Sequence, residues 1–517
     1  MLALRRMMPF LTALTLLGPA PAAGGATGTY GLTVRPDYVD PALSYTFEGW
    51  SILAATHTPL LTYEHVDGDA GTRLIPALVE GMPEVSADGR TYTLRLREGL
   101  RYTDGRDVLA RDFEHTIKRV LNLESGGSAF YLGIRGAERY VRRGRARADI
   151  SGIVTDDASR TIRIDLVEPD GSFPYILALQ FAGLVPAGTP FQNLSRRPPP
   201  GVGPFRIVSS SRRRLTLRKD PGFAVPGLPQ AALDAITVRY GARHGTVDIH
   251  LDTPPRRLRT GDRYLERDTA STYYFFLNQR LRPFDDIEVR RAVNLALDKP
   301  ALKRQFGDLF TPGCTFLPPK IPGYEARDCP YGDPNGPPQV ERAREMIRAA
   351  GAQGARVRVY GNDESPSRGV TFAFARMLRA VGLRPRVRIV EASVYFTTIA
   401  NQRTRAQAGF ANWFQDFPHP RNFFFLVDGD WIQPTNNQNF GNVDDPELNA
   451  LLDRVNVAPL DQLAGVAAEA DRRIVDQAHV AAYGYRRLGY LFSERVPPQC
   501  RALHPVYQVD LARLCVA

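Results

Sequence analysis

The stretch that decides the fold runs from residue 75 to residue 113 and reads IPALVEGMPEVSADGRTYTLRLREGLRYTDGRDVLARDF. Within it, Ser86-Ala87-Asp88-Gly89 has the composition of a hairpin turn, because glycine tolerates a positive φ. After the turn, Tyr92, Leu94 and Leu96 alternate with polar residues. This alternation predicts a half-buried strand.

Strand and helix patterns alternate outward from this stretch, which indicates an α/β protein. A helix with one apolar face is predicted over 110–121, and a second half-buried strand over 162–166. The clearest βαβ unit covers about 357–389, and its helix ends at Gly382. Such crossovers build parallel sheets. Further helix N-caps are predicted at Asp285 or Asp286, Asp445 and Asp461.

The composition is that of an ordinary globular protein. Of 517 residues, 43% are apolar and 23% are charged, with a net charge of +11. Nearly all of the basic charge is arginine, since lysine occurs at only five positions. The arginines form only short local runs, such as 212–214, without interleaved aromatic residues. We therefore expect no nucleic acid partner.

The N-terminus has the pattern of a secretory signal peptide over residues 1–23. Arg5 and Arg6 precede an apolar stretch, 7–17, and Ala20-Pro21-Ala22 satisfies the small-x-small rule for cleavage. The apolar stretch is too short to span a bilayer. No cysteine for lipid attachment lies near the cleavage site. We expect an exported protein on the periplasmic or extracellular side of the cytoplasmic membrane.

The four cysteines lie in the C-terminal half, at Cys314, Cys329, Cys500 and Cys515. Export permits disulfides, and four cysteines allow three connectivities. The pairs that are local in sequence, Cys314–Cys329 and Cys500–Cys515, are favoured. Each would close a loop that stabilises the fold by about 3 kcal/mol. A zinc site is the rival interpretation, but no C-x-x-C spacing supports it.

Signatures of enzymes are missing from the sequence. It contains no H-E-x-x-H, no G-x-S-x-G and no G-x-x-x-x-G-K, and its eight histidines are scattered singly. The acid pairs at 156–157 and 285–286 fall at turns or helix starts, where capping explains them. We expect no catalytic residue, no metal site and no cofactor. A secreted hydrolase is kept only as a distant alternative.

Six blocks of the sequence, in the correct order, resemble family 5 of the bacterial extracellular solute-binding proteins. This family includes the oligopeptide-, dipeptide- and nickel-binding subunits of ABC importers. The blocks span essentially the whole mature chain. They lie at 75–113, 201–205, 284–292, 297–298, 413–420 and 445–448.

The resemblance implies a two-lobed periplasmic-binding-protein-like α/β fold (type II, cluster C) with an extra subdomain inserted in lobe one. The implied lobe one comprises 24–61, 191–278 and 485–517, the inserted subdomain 62–190 and lobe two 279–484. Two crossing strands, near 272–278 and 483–485, would form the hinge. The ligand would lie between the lobes of a monomer.

The implied function is that of an extracytoplasmic substrate-binding subunit of an ABC importer, which delivers a peptide-like ligand to the membrane permease. In the peptide-binding members, the aspartate that matches Asp416 receives the α-ammonium group of the ligand, and the aromatic residue that matches Trp413 lines the cleft. The chemistry is sound, because a charge-assisted hydrogen bond in a dry cleft is strong.

This sequence departs from the commoner D-Y-P-D-P pattern at Phe417 and His419. The loss of the second acid leaves the charge preference of the site open. The same fold with a non-peptide ligand, such as a metal chelate, an opine or a sugar derivative, is therefore the alternative. Further candidates for the cleft are Phe414, Tyr45, Trp50, Asn436 and Asn437.

Overall fold

The computed structural model describes residues 26–143, 148–252 and 263–517. The predicted signal peptide, 1–23, lies outside the described residues. The helices are α1 Phe47–Leu53, α2 Arg111–Asn122, α3 Ala137–Arg143, α4 Phe173–Ile176, α5 Ile287–Leu295, α6 Lys299–Phe306, α7 Val340–Ala349, α8 Ser367–Ala380, α9 Ala392–Ile399, α10 Arg421–Phe424, α11 Pro446–Val457 and α12 Leu460–Asp476. The strands are β1 Thr27–Leu32, β2 Leu61–Tyr63, β3 Leu74–Pro76, β4 Glu84–Val85, β5 Thr91–Arg95, β6 Ile153–Asp156, β7 Thr161–Asp165, β8 Phe205–Ser210, β9 Arg214–Lys219, β10 Ala235–Tyr240, β11 Ile249–Leu251, β12 Tyr264–Asp268, β13 Ser271–Leu277, β14 Phe310–Pro312, β15 Arg356–Asn362, β16 Arg384–Val390, β17 Ala408–Phe414, β18 Val480–Phe492, β19 Leu503–His504 and β20 Gln508–Val509.

One large mixed sheet runs through the molecule in the order β16-β15-β17-β13-β18-β11-β1-β10-β9-β8, with β12 and β14 also paired to β18. The predicted βαβ unit is confirmed: β15 and β16 are parallel and are connected by α8. In lobe one, β1 lies parallel to both β10 and β11. The inserted subdomain has its own antiparallel sheet in the order β4-β5-β7-β6.

Strand β18 belongs to both lobes. Its first residues pair with β13, which lies within the range predicted for lobe one but packs in the core of lobe two, and its last residues pair with β11 and β12 of lobe one. The other crossing lies between Asp268, the end of β12, and Ser271, the start of β13. The two lobes are therefore joined by short stretches of strand rather than by flexible linkers.

Three separate hydrophobic cores match the three expected bodies. The core of lobe two surrounds the stacked rings of Phe275 and Phe374, whose centroids are 3.8 Å apart. The core of the inserted subdomain includes Phe113 of α2, and the core of lobe one includes Phe205 of β8. The two-lobed α/β fold with an inserted subdomain is thus observed. The residue boundaries of the three bodies stay a prediction.

Two of the three predicted helix starts rest on side-chain caps, whereas Asp461 lies in the first turn of α12 and does not cap it. The Asp286 carboxylate accepts from the Glu288 N–H at the start of α5, and Asp445 accepts from the N–H groups of Glu447 and Leu448 at the start of α11. These bonds satisfy N–H groups that the first turn of a helix leaves unpaired. Helix α12 begins one residue before the predicted cap Asp461.

Two disulfides join the pairs that are local in sequence. Cys314 bonds to Cys329 and Cys500 to Cys515, with Cα–Cα distances of 5.8 and 4.9 Å. The predicted connectivity is therefore confirmed. Throughout the described ranges, no helix is both long and apolar enough to cross a membrane.

Candidate functional site

The candidate site lies where the lobes meet, at the end of strand β17. This strand pairs with β13 along its whole length, and the N–H of the next residue, Gln415, donates to the Ala270 carbonyl at 2.9 Å. Asp416 follows directly and is 6% exposed. The sheet therefore fixes the position of a buried carboxylate between the lobes.

The Asp416 carboxylate is held by two neutral side chains. Asn422 donates from Nδ2 to Oδ2 at 2.8 Å, and its Oδ1 accepts from the backbone N–H of Asp416 at 2.7 Å. From lobe one, the Tyr45 hydroxyl donates to the same carboxylate. Burial raises the pKa of Asp416 to about 7, although these hydrogen bonds act in the opposite direction.

Tyr45 is positioned by other aromatic rings of lobe one and the inserted subdomain. It stacks on Trp50 with centroids 5.7 Å apart and meets Phe181 edge-on at 5.2 Å. Trp50 is fixed in turn, because its Nε1–H donates to the Ser44 carbonyl at 2.7 Å. Gly126 makes room for the ring, since a Cβ there would lie 2.5 Å from Cδ1 of Tyr45. The structure thus brings Tyr45, Trp50 and Asp416 together.

Phe414 and Trp413 lie at the end of β17, beside this group. The Phe414 ring meets Phe47 of α1 edge-on, with centroids 5.0 Å apart, so it also contacts lobe one. The Trp413 ring packs edge-on against Phe425 at 5.0 Å, on the lobe-two side. Its Nε1–H lies 3.4 Å from the Asn422 Oδ1. Trp413 therefore supports the residue that holds Asp416.

Asn436 and Asn437, the other two predicted cleft residues, lie in a loop apart from the group around Asp416. Asn436 is exposed and has φ +57°. Asn437 is buried: its Nδ2 donates to the Asn439 carbonyl at 2.7 Å, and its backbone N–H donates to the Ala400 carbonyl. These hydrogen bonds of Asn437 hold its own loop in place, so the structure does not join these two residues to the group around Asp416.

The sequence analysis missed contacts across the lobes that follow Asp416. Phe417 is 3% exposed and packs in the core of the inserted subdomain, where it contacts Phe130 at 6.1 Å. Arg421 forms an ion pair with Asp170 of the same subdomain. The one sequence signal for this burial was Phe417 itself, an apolar residue at the position where the commoner D-Y-P-D-P pattern has tyrosine.

The chemistry of this arrangement is recognition of a cation. Within the described ranges the hydrogen-bond partners of this buried carboxylate are neutral, so it gains most from a ligand that supplies positive charge and N–H donors. The surrounding rings add apolar surface and exclude water. In the part of the chain that the structure describes, no group of three or more His, Cys, Asp and Glu side chains could hold a metal ion.

Two curated relatives of this chain carry names that describe binding of small peptides or of glutathione. Di/tripeptide-binding protein 2 of Pseudomonas aeruginosa (strain UCBPP-PA14) is 31% identical over 345 residues, which cover 61% of this chain and 62% of that protein. Glutathione-binding protein GsiB of Shigella flexneri is 28% identical over 287 residues, 52% of this chain and 51% of that protein. The alignments therefore span between half and two thirds of these relatives.

Solved structures share the fold over nearly the whole chain. The clavulanic acid biosynthesis oligopeptide binding protein 2 superposes with a TM-score of 0.86 at 26% identity, over 95% of this chain and 96% of that chain. DppA from Helicobacter pylori, in complex with the peptide STSA, superposes with a TM-score of 0.71 at 19% identity, over 95% and 98%. The family model described as bacterial extracellular solute-binding proteins, family 5 middle, matches residues 73–433, which is more than half of the chain. The protein is a member of bacterial extracellular solute-binding protein family 5.

Proposed function

We propose that this protein is the extracytoplasmic substrate-binding subunit of an ABC importer, and that it captures a short peptide or peptide-like ligand between its lobes. The observation that carries the proposal is the buried Asp416 carboxylate, contacted from lobe two by Asn422 and from lobe one by Tyr45. A ligand ammonium group would supply the missing positive charge. The peptide ligands named for the relatives support the same choice.

The role requires binding and a change of shape, without covalent chemistry, so the protein is not an enzyme in this proposal. Closure of the lobes around the ligand would shift the population toward a form that the permease recognises. Hydrolysis of ATP would belong to other subunits. The protein would act as an exported monomer, with residues 1–23 removed, on the outer side of the cytoplasmic membrane.

The test begins with native mass spectrometry of the gently purified mature protein, to detect any peptide that remains bound. A thermal-shift screen with a library of dipeptides that begin with alanine follows. A ligand that binds only the folded state raises the melting temperature once its concentration exceeds Kd. We expect several dipeptides to raise it, and Asp416→Asn to abolish the rise.

Asp428→Asn is the matched control. Asp428 is also buried, and burial raises its pKa to about 6, but its carboxylate accepts from the Asp430 N–H in a lobe-two loop. This variant should keep the ligand-induced rise. If dipeptides have no effect while a metal chelate, an opine or a sugar derivative raises the melting temperature, the receptor role stands and the peptide ligand is wrong.

A further inference from the structure

Strands β15 and β16, at the lobe-two edge of the large sheet, carry five arginines on one face. Val357 and Val359 of β15 are fully buried in the core of lobe two. Because successive residues of a strand point to opposite faces, the arginines that alternate with these valines lie on the face away from that core. We name the five residues the arginine face: Arg356 and Arg358 on β15, and Arg384, Arg386 and Arg388 on β16.

The arginines lie beside one another across the two strands. In the parallel register of β15 and β16, Arg356 is the neighbour of Arg384, and Arg358 is the neighbour of Arg386. Neighbouring strands are about 4.8 Å apart, so these like charges repel each other and oppose folding. All but Arg358 are exposed, and among the described residues none of the five forms an ion pair.

Protection of an edge strand explains only part of this charge. Strand β16 ends the large sheet on this side, and charged side chains on such a strand prevent it from pairing with other chains. Strand β15 instead lies between β16 and β17, so Arg356 and Arg358 protect no edge. Charges that oppose folding and have no counter-charge within the fold indicate an anionic partner outside it.

The arginine face is remote from the Asp416 site. Strand β17 runs parallel to β15, and Ala408 lies beside Val359. Phe414 lies six residues beyond Ala408. Arg356 lies three residues before Val359, so Phe414 and Arg356 are separated by about 30 Å along the strands. The face can therefore hold a second partner while the cleft holds its ligand.

We propose that the arginine face binds the anionic phospholipid surface of the membrane that contains the permease. Guanidinium groups form paired hydrogen bonds with phosphate oxygens and keep their charge at any working pH. Several arginines on one sheet face add their attraction to an anionic bilayer. The choice of partner follows from charge complementarity and from the exported location in the proposed function, on which this inference rests.

The experiment measures sedimentation of the mature protein with vesicles of phosphatidylglycerol and phosphatidylcholine in equal parts, and with vesicles of phosphatidylcholine alone. The wild-type protein should bind only the anionic vesicles, and less as salt is added. Each arginine near an anionic bilayer contributes about fivefold to binding. We therefore expect the triple variant Arg384→Gln, Arg386→Gln, Arg388→Gln to bind about a hundredfold more weakly, and Arg356→Gln on the inner strand about fivefold more weakly.

The matched control changes the net charge equally at three separate elements. Arg206→Gln, Arg304→Gln, Arg348→Gln removes exposed arginines of β8, α6 and α7, and should bind the anionic vesicles like the wild-type protein. The triple variant of β16 should keep the wild-type melting temperature. It should also keep the rise caused by the tightest-binding dipeptide of the alanine-first library, because the arginine face is remote from the cleft.

Unchanged vesicle binding in the triple variant of β16 would overturn the inference, and so would an equal loss in the control, which would show that net charge alone drives binding. Tighter binding to poly-glutamate than to the anionic vesicles would replace the membrane with an acidic protein partner. If the vesicles do not bind while the dipeptide raises the melting temperature, this inference fails and the receptor role stands. If the vesicles bind and no dipeptide does, the peptide ligand fails and the membrane contact stands.

Discussion

The ring of Phe417 lies stacked on Tyr175 of the inserted subdomain, with centroids 6.1 Å apart and planes 26° apart. Phe417 follows strand β17 of lobe two, yet its ring is part of the core of the inserted subdomain. In the proposed receptor role, these two bodies separate when the cleft between the lobes opens. We expect the contact to favour the closed arrangement with or without a ligand.

Removing this ring should favour the open arrangement. Phe417→Ala deletes a buried aromatic side chain, a change that costs about 3–5 kcal/mol in protein cores. That cost is the upper limit for the free energy by which the contact favours the closed arrangement. We expect a larger radius of gyration in small-angle X-ray scattering and weaker binding of the dipeptide. Phe372→Ala is the control, since Phe372 is 38% exposed on helix α8. An unchanged radius of gyration in Phe417→Ala would contradict the prediction.

The ionisation of Asp416 should make stability fall as pH rises. Burial raises its pKa from 3.8 to about 7, so the folded protein holds the proton more tightly than the unfolded chain does. The stability that the protonated Asp416 carboxyl gives the folded state is therefore lost as pH rises from about 4 to about 7. Asp416→Asn cannot ionise, so we expect a higher melting temperature than wild type at pH 8 and a smaller difference at pH 4.

Ligand affinity should change in the opposite direction with pH, because an ammonium group binds the ionised carboxylate. Calorimetric titration should show tighter binding of the dipeptide at pH 8 than at pH 5.5, and a loss on the order of a hundredfold in Asp416→Asn. Asp428→Asn should keep the wild-type dependence of affinity on pH. Binding by wild type that does not vary with pH would argue against contact between Asp416 and the ligand.

The sequence predicted the local structure well where the signal was local. The caps Asp286 and Asp445 and the βαβ unit over β15, α8 and β16 follow from turns and periodicity within a few residues. The disulfides were predictable because each pair is separated by only 15 positions.

The same reasoning found only part of the candidate site. Asp416 was predicted from a motif, whereas the contact that holds the neighbouring Gln415 depends on the C-terminal segment. Gln415 and its partner Pro505 lie 90 positions apart, so no local pattern predicts their contact. The burial of Phe417 in another body's core is likewise a property of the assembled lobes.

A fully buried ion pair ties the start of lobe one to the inserted subdomain. Arg119 of α2 donates from Nη1 and Nη2 to the Asp40 carboxylate at 3.0 and 2.9 Å, and both side chains are 0% exposed. Asp40→Ala leaves the guanidinium buried without its counter-charge, which should cost about 3–5 kcal/mol. Urea denaturation should show the loss.

The control for this ion pair is on the surface. Arg90 and Glu168 form an exposed pair at 2.9 Å, so Glu168→Ala should cost less than about 1 kcal/mol. The double variant Asp40→Leu with Arg119→Met removes both charges and should recover much of the lost stability. Equal costs for Asp40→Ala and Glu168→Ala would contradict the prediction.

The disulfide near the C-terminus should stabilise segment 503–508, in which Tyr507 packs on Tyr63 and the Pro505 carbonyl accepts from Gln415. Cys500→Ala with Cys515→Ala opens a loop of 15 positions and should lower the free energy of unfolding by about 3 kcal/mol. Thermal denaturation of the variant and the wild-type protein checks this. Titration of the unreduced, unfolded wild-type protein should find no free thiol among the four cysteines.

Strand β18 has a practical consequence for dissection of the molecule. A cut near residue 484 would leave the residues that pair with β13 in one fragment and those that pair with β11 and β12 in the other, and it would separate β14 from its partners Tyr485 and Arg486. A fragment of lobe two that ends near residue 484 therefore leaves β14 without most of its strand pairing. A circular permutation that opens a surface loop and keeps β18 whole is the safer way to rearrange this chain.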